Sequence, residues 1–124
     1  MVIQEAAEMY LETILVLSQR QGRVRSVDIA NEMSYSKPTV SEQMKKFREN
    51  GYIIMDADGY ISLTDSGREI AERTYERHNV ISGLLMILGV DRETACQDAC
   101  RIEHYISQKT FDCMKDFCGK NNNQ

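Results

Sequence analysis

No apolar run in this sequence approaches the ~20 residues needed to cross a bilayer, and 27% of its residues are charged. The opening MVIQEAAEMY lacks the basic start and long apolar stretch of a signal peptide. A cytoplasmic protein with no membrane partner is therefore expected. Internal repeats and long linkers are also missing. Cysteine is absent until Cys96, and all four cysteines (Cys96, Cys100, Cys113, Cys118) fall in the last third. In a reducing compartment such a cluster points to metal binding, redox chemistry or simple burial before it points to disulfides. A surplus of positive charge is lacking too, with 15 bases against 19 acids and a net charge of −4. That balance looks unsuited to a nucleic-acid binder.

The charge is unevenly spread, however. From Arg20 to Arg48 there are seven bases (Arg20, Arg23, Arg25, Lys37, Lys45, Lys46, Arg48) and three acids (Asp28, Glu32, Glu42), a local +4 that leaves −8 for the remainder. Screening confines the relevant field to ~10 Å, so a basic segment of an acidic protein can still meet phosphate. Acidity elsewhere suits a protein that collects divalent cations. At 124 residues, 42% of them hydrophobic, the chain is one domain or two small ones sharing a core.

Apolar residues at Ile3, Ala6, Ala7, Tyr10, Leu11, Ile14 and Leu17 recur at helical spacing and predict a first helix to about Arg20, ended by Gly22. Ser26 is placed to cap a short second helix, VDIANEM. The only proline, Pro38, sits in the first turn of a third, KPTVSEQMKKFREN, where a missing N–H costs nothing. YIIMDADGYISLT then offers two β-rich runs around Asp58-Gly59, a hairpin signal. Asp65 or Thr64 caps a long fourth helix from about Ser66 to Leu88, ended by Gly89. DRETACQDACRIEHYISQ reads as a fifth helix, KTFDCMKDF as a sixth, and GKNNNQ as a frayed tail. Helix, helix, turn, helix and hairpin is the order of a winged helix-turn-helix, with Val27, Ile29, Ala30, Val40, Met44 and Phe47 as its small core. The expected fold is mainly α: an N-terminal winged helix-turn-helix, residues 1–72, tied by the fourth helix to a C-terminal helical domain, residues 73–124.

In a helix-turn-helix the second helix enters the major groove and its N-terminal residues approach bases and phosphates. Here these are Ser36, Lys37, Pro38, Thr39, Ser41, Glu42 and Gln43, with Arg25 and Lys46 as further DNA-facing bases. Short hydroxyls reach the backbone, and Pro38 or the Thr39 methyl can touch a thymine methyl. Some winged helices mediate only protein contacts; the local +4 and the hydroxyl-rich helix start favour double-stranded DNA. One such domain offers too few contacts for specific affinity, so a homodimer reading two half-sites is expected.

A second constellation is CQDACRIEH. On a helix Cys100, Glu103 and His104, at i, i+3 and i+4, share one face. A buried cysteine, an exposed glutamate and a surface histidine would look the same, so further donors decide. Met9 and Glu12 stand at i, i+3 on the first helix, although methionine is an ordinary core filler. His78, one of only two histidines, lies on the long helix that must pack near both others. Met9, Glu12, His78, Cys100, Glu103 and His104 together would make an N/O/S site for a divalent cation, with Cys96 joining or lining it.

The chain resembles the diphtheria toxin repressor and manganese transport regulator family of metal-dependent transcriptional repressors. The similarity runs from about Glu8 to Ser107, on EMYLETI, KPTVSEQMKKFRENGYI, LTDSGREIAERTYERH and DACRIEH. It implies a C-terminal domain that binds metal and dimerises, and binding to operator DNA switched on by Fe²⁺ or Mn²⁺ to control metal homeostasis genes. The family's metal positions fall on the same six residues. Met9 and Cys100 are those of the iron-responsive branch, where the manganese branch has carboxylates; Glu12 is typical of the manganese branch. Cys96 replaces an ancillary-site histidine and Ser82 an ancillary glutamate. Ser36 and Pro38 match the family's usual DNA contacts, while Glu42 replaces a glutamine. Ending near Gln124, the chain is expected to lack the SH3-like third domain of longer members.

Sulfur ligands are softer than carboxylates, so Fe²⁺ is the expected cofactor before Mn²⁺, with Co²⁺, Ni²⁺ or Zn²⁺ substituting in vitro. The rival is a metal-independent winged-helix regulator. A small enzyme using Cys100 with His104 is set aside, because nothing resembles an oxyanion hole or phosphate loop. A structural zinc site prefers closely spaced Cys/His knuckles, and Cys113 and Cys118 are too widely spaced for one.

Overall fold

The computed structural model describes residues 5–122, arranged as α1 (Glu5–Gln21), α2 (Ser26–Met33), α3 (Lys37–Glu49), β1 (Ile53–Met55), β2 (Ile61–Leu63), α4 (Asp65–Ile87), α5 (Arg92–Ile102) and α6 (Gln108–Asn122). They form two compact units, Met1–Glu72 and Arg73–Gln124, with α4 contributing to both. Ile3, expected on the apolar face of the first helix, lies outside the described residues, as do Asn123 and Gln124.

The N-terminal unit is a winged helix-turn-helix. Tyr10, Leu11, Ile14, Leu15 and Leu17 of α1 are buried and pack with Ile29 and Ala30 of α2 and with Val40, Met44 and Phe47 of α3. Burying each large apolar side chain contributes roughly 1.5–3 kcal/mol, so this stripe supplies most of the unit's cohesion. Tyr10, Phe47 and Tyr52 continue it as edge-on rings with centroids 6.1 and 6.2 Å apart. Val27 departs from expectation: it is 39% exposed. At ~100° per residue it stands well round the helix from the stripe of Ile29, Ala30 and half-buried Met33. Ser26 is not the cap of α2 either. Arg25 takes the N-cap position, and its N–H is accepted by Asp28 Oδ2 at 2.9 Å.

β1 and β2 pair antiparallel, Ile53 with Leu63 and Met55 with Ile61, and Val24 bridges the far edge of β2. Asp56 Oδ1 accepts the N–H groups of Asp58 and Tyr60 at 2.9 Å each, which closes the turn at Gly59. Thr64 Oγ1 accepts from Gly67 N at 3.2 Å and so caps α4. A Cβ on Gly67 would collide with the Tyr52 carbonyl, so only glycine lets α4 start this close to the wing.

The second unit comprises the later turns of α4 with α5 and α6. Ala95 and Ala99, one turn apart and fully buried, give α5 a small-residue face, and Ile81 and Phe111 are also buried. α5 stops at Ile102 and does not continue to Gln108 as expected, so Glu103 is its C-cap and His104 lies in the following turn. Conversely, α6 extends to Asn122, so Gly119 to Asn122, the described part of the expected frayed tail, are helical. The 118 described residues contain no helix long and apolar enough to cross a membrane.

Candidate metal centre and DNA-reading helix

Four of the six candidate ligands meet within the C-terminal unit. His78 projects from α4, Cys100 from the last turn of α5, and Glu103 and His104 from the turn after it. Glu103 Oε2 lies 3.0 Å from His78 Nδ1, and Cys100 Sγ lies 3.7 Å from the same nitrogen. Glu103 Oε1 is 3.3 Å from His104 Nε2 and makes no hydrogen bond among the described residues. The Glu103 and His104 side chains are each 1% exposed. Cys96, one turn before Cys100, is half-buried.

A carboxylate taken this far out of water needs positive charge or hydrogen bonds to both oxygens. Glu103 has a hydrogen-bonded imidazole at one oxygen only. With two imidazoles at the carboxylate and a thiol 3.7 Å from one of them, the donor set suits a borderline-soft divalent cation. Among the described residues, no group of three or more His, Cys, Asp or Glu side chains is placed to hold a metal ion as they stand. They meet as a chain of pairwise contacts.

Met9 and Glu12 are half-buried, one turn apart on α1, in the N-terminal unit. Thr13 Oγ1 donates to Met9 O at 2.8 Å, which fixes the local turn.

Sequence reasoning missed Arg77. Its Nη1 donates to the carbonyls of Glu103 (3.1 Å) and Ile106 (3.2 Å), its Nη2 to Gln108 Oε1 (3.0 Å), and its guanidinium stands 5.4 Å from the Phe111 ring. Arg77 therefore ties down the turn that presents Glu103 and His104. Its hydrogen-bond partners are 26 to 31 residues away, so no local spacing announces it. Cys118 is buried and donates its S–H to Val80 O at 3.7 Å, and burial raises its pKa; Cys113 is exposed.

The start of α3 is built for exposure. Ser36 is its N-cap: Ser36 Oγ accepts from Thr39 N at 3.3 Å and lies 2.7 Å from Thr39 Oγ1. Pro38 sits in the first turn, where no N–H is needed. Val40, Met44 and Phe47 face the core, which turns Lys37, Pro38, Thr39, Ser41, Glu42 and Lys46 outward with Ser36, while Gln43 is half-buried. Arg25 is exposed, its guanidinium 4.4 Å from the Tyr60 ring.

Residues 3–61 match the family model for the iron-dependent repressor N-terminal DNA-binding domain, and residues 64–123 match that for the iron-dependent repressor metal-binding and dimerisation domain. The transcriptional regulator MntR of Escherichia coli O6:H1 (strain CFT073) is 34% identical over 117 residues, which cover 94% of this chain and 76% of that protein. The chain belongs to the diphtheria toxin repressor and manganese transport regulator family. Its members are metal-dependent transcriptional regulators, and membership sets aside the metal-independent reading. The HTH-type transcriptional regulator MntR of Bacillus subtilis (strain 168) is 31% identical over 109 residues, 88% of this chain and 77% of that protein. The structure of the manganese regulator SloR superposes with a TM-score of 0.79 at 29% identity, covering 96% of this chain. The chain spans 55% of the SloR chain's length.

Proposed function

We propose that the chain is an iron-responsive repressor that binds operator DNA as a homodimer and controls genes of metal homeostasis. Ser36, Lys37, Pro38, Thr39, Ser41, Glu42 and Gln43 read the major groove, and Arg25 and Lys46 contact the backbone. Met9, Glu12, His78, Cys100, Glu103 and His104 ligate the cation. The observation that carries this reading is the buried Glu103 carboxylate, set between two imidazoles, one of them in contact with the Cys100 thiol, with one oxygen lacking a hydrogen bond.

When bound, the cation supplies the positive charge and directional coordination that a buried carboxylate otherwise lacks. The chain's residues do the rest. Glu103 and His104 are held by the Arg77-tied turn, and His78 and Cys100 by helices. Met9 and Glu12 belong to the same chain segment as the DNA-reading residues, so ligation by both sets links DNA binding to metal occupancy. By linkage, metal and DNA then strengthen each other's binding by the same factor.

The choice of metal rests on donor chemistry. SloR is called a manganese regulator and the matching family models are called iron-dependent. Met9 and Cys100 offer sulfur, which favours Fe²⁺ over Mn²⁺. Co²⁺, Ni²⁺ and Zn²⁺ can substitute in vitro. Gel shifts of a genomic-fragment pool with Fe²⁺, with Mn²⁺ and with chelator test the reading. Retarded fragments are expected with either metal, at lower concentrations of Fe²⁺, and none with chelator. Cys100→Asp or Met9→Asp is expected to move the preference toward Mn²⁺; an unmoved preference overturns the softness argument.

A further inference from the structure

We infer that Arg23, Arg25 and Tyr60 form a second DNA-binding element: a clamp at the root of the wing, in which one aromatic ring holds two guanidinium groups ready for the phosphate backbone. It deepens the DNA-binding reading proposed above and rests on it.

The clamp follows from strand register. Val24 pairs with Ile61 in an antiparallel bridge, with Ile61 N donating to Val24 O at 2.7 Å. Both side chains point into the core, Val24 fully buried and Ile61 at 5% exposure. Side chains alternate along extended backbone, so the neighbours of Val24, Arg23 and Arg25, emerge on the outer face together. Tyr60, the residue before Ile61, emerges there too. The guanidinium carbons of Arg23 and Arg25 lie 5.0 and 4.4 Å from the centroid of the Tyr60 ring. Asp56 accepts the Tyr60 N–H and so fixes where the ring stands.

The wing's neighbours set the clamp apart. Arg20 is paired with Glu32 and Arg68 with Glu72, but neither Arg23 nor Arg25 joins an ion pair among the described residues. Both are exposed. Two like charges gathered at one ring repel, and the ring's quadrupole offsets part of that repulsion. A phosphate between them would remove it and take bidentate hydrogen bonds from planar forks that are already oriented. The same unit carries the exposed bases Lys37, Lys45, Lys46 and Arg48 on α3, against which β1 packs. The polyanion that fits both faces is a DNA duplex. Tyr60 is a positioning residue here, because it acts through the two arginines.

The test is fluorescence anisotropy of a labelled mixed-sequence duplex with the full chain and saturating Mn²⁺, read as the slope of log affinity against log salt. Each phosphate contact contributes about 0.9 to that slope. Arg23→Gln/Arg25→Gln is expected to flatten the slope by roughly two contacts per protomer. Tyr60→Leu keeps apolar bulk but loses the ring's charge distribution, and it is expected to flatten the slope by at least half as much. Tyr60→Phe retains the ring and is expected to match the wild type, which separates positioning from simple packing. Far-ultraviolet circular dichroism checks that each variant stays folded; should Tyr60→Leu unfold, the exposed arginine pair still decides the matter. A wild-type slope in the double arginine variant overturns the clamp, and one in a folded Tyr60→Leu variant overturns the role of Tyr60. If the wild-type chain binds no duplex at any salt concentration, the DNA-binding reading falls first and the clamp with it.

Discussion

The two units are held together differently. In the N-terminal unit the buried residues are apolar: the stripe from Tyr10 to Ala71 makes one continuous cluster. In the C-terminal unit the buried apolar residues are few and mostly small, namely Ile81, Ala95, Ala99, Phe111 and Cys118. Thr74, Ser82 and Glu103, which are buried and polar, lie there, as does the buried His104 side chain. So do Tyr75, Ile87, Leu88, Tyr105 and Phe117, five of the described chain's eight exposed large hydrophobics. A region built this way gains little from its own burial and leaves apolar surface for other contacts. The first unit is held by its own apolar core. On the proposed function, the second gains order from a bound cation and from a second copy of the chain.

That contrast can be broken most forcefully in the first core. Phe47→Ala removes a buried ring from the centre of the aromatic cluster and is expected to cost about 3–5 kcal/mol in urea unfolding. A cost below ~1 kcal/mol would mean that the N-terminal unit is not core-driven.

In the second unit the sign should differ. Glu103→Gln removes a buried charge, so the metal-free variant is expected to melt no lower than the metal-free wild type. Metal affinity, in contrast, should fall at least ~100-fold, and the rise in melting temperature on adding Mn²⁺ should vanish. A large loss of metal-free stability would show that Glu103 is a structural ion pair with His78 and His104.

Arg77→Met tests the turn. It keeps the packing near Phe111 but loses three hydrogen bonds, and metal affinity measured by competition with a chelator is expected to drop about 10–100-fold, as for other residues that orient ligands. Unchanged affinity would mean that the turn holds its shape without Arg77. The smallest effect is kinetic: Cys113 should be alkylated before Cys118 in the folded chain, because burial hides the Cys118 thiol and raises its pKa. Equal rates would show that the packing of α6 against Val80 opens readily.

The same contrast explains what the sequence reveals. The helix-turn-helix and wing are legible because their signals are local: apolar spacing on α1 and α3, Pro38 in a first turn, Asp58-Gly59 in a hairpin. Val27 misleads because α2 is only eight residues long, and a short helix does not define its buried stripe tightly. The end of α5 was not legible, since the turn after Ile102 is held by Arg77 from another helix and no nearby glycine or proline stops it. The meeting of His78 with Cys100, Glu103 and His104 could be anticipated from helical spacing and the scarcity of histidine. The wing clamp could not, because Arg23 and Arg25 find Tyr60 only through the bridge between Val24 and Ile61.

The central claim is that residues of both units ligate one cation, and α1 is where it is most open to attack. Co²⁺ titration of the wild-type chain and of Met9→Ala/Glu12→Gln, followed by thiolate-to-metal charge-transfer absorption, measures it directly. The account predicts that the double variant binds Co²⁺ at least ~100-fold more weakly and loses metal-dependent DNA binding. Wild-type Co²⁺ affinity in that variant would contradict the account, by showing that the C-terminal residues bind the cation without help from α1.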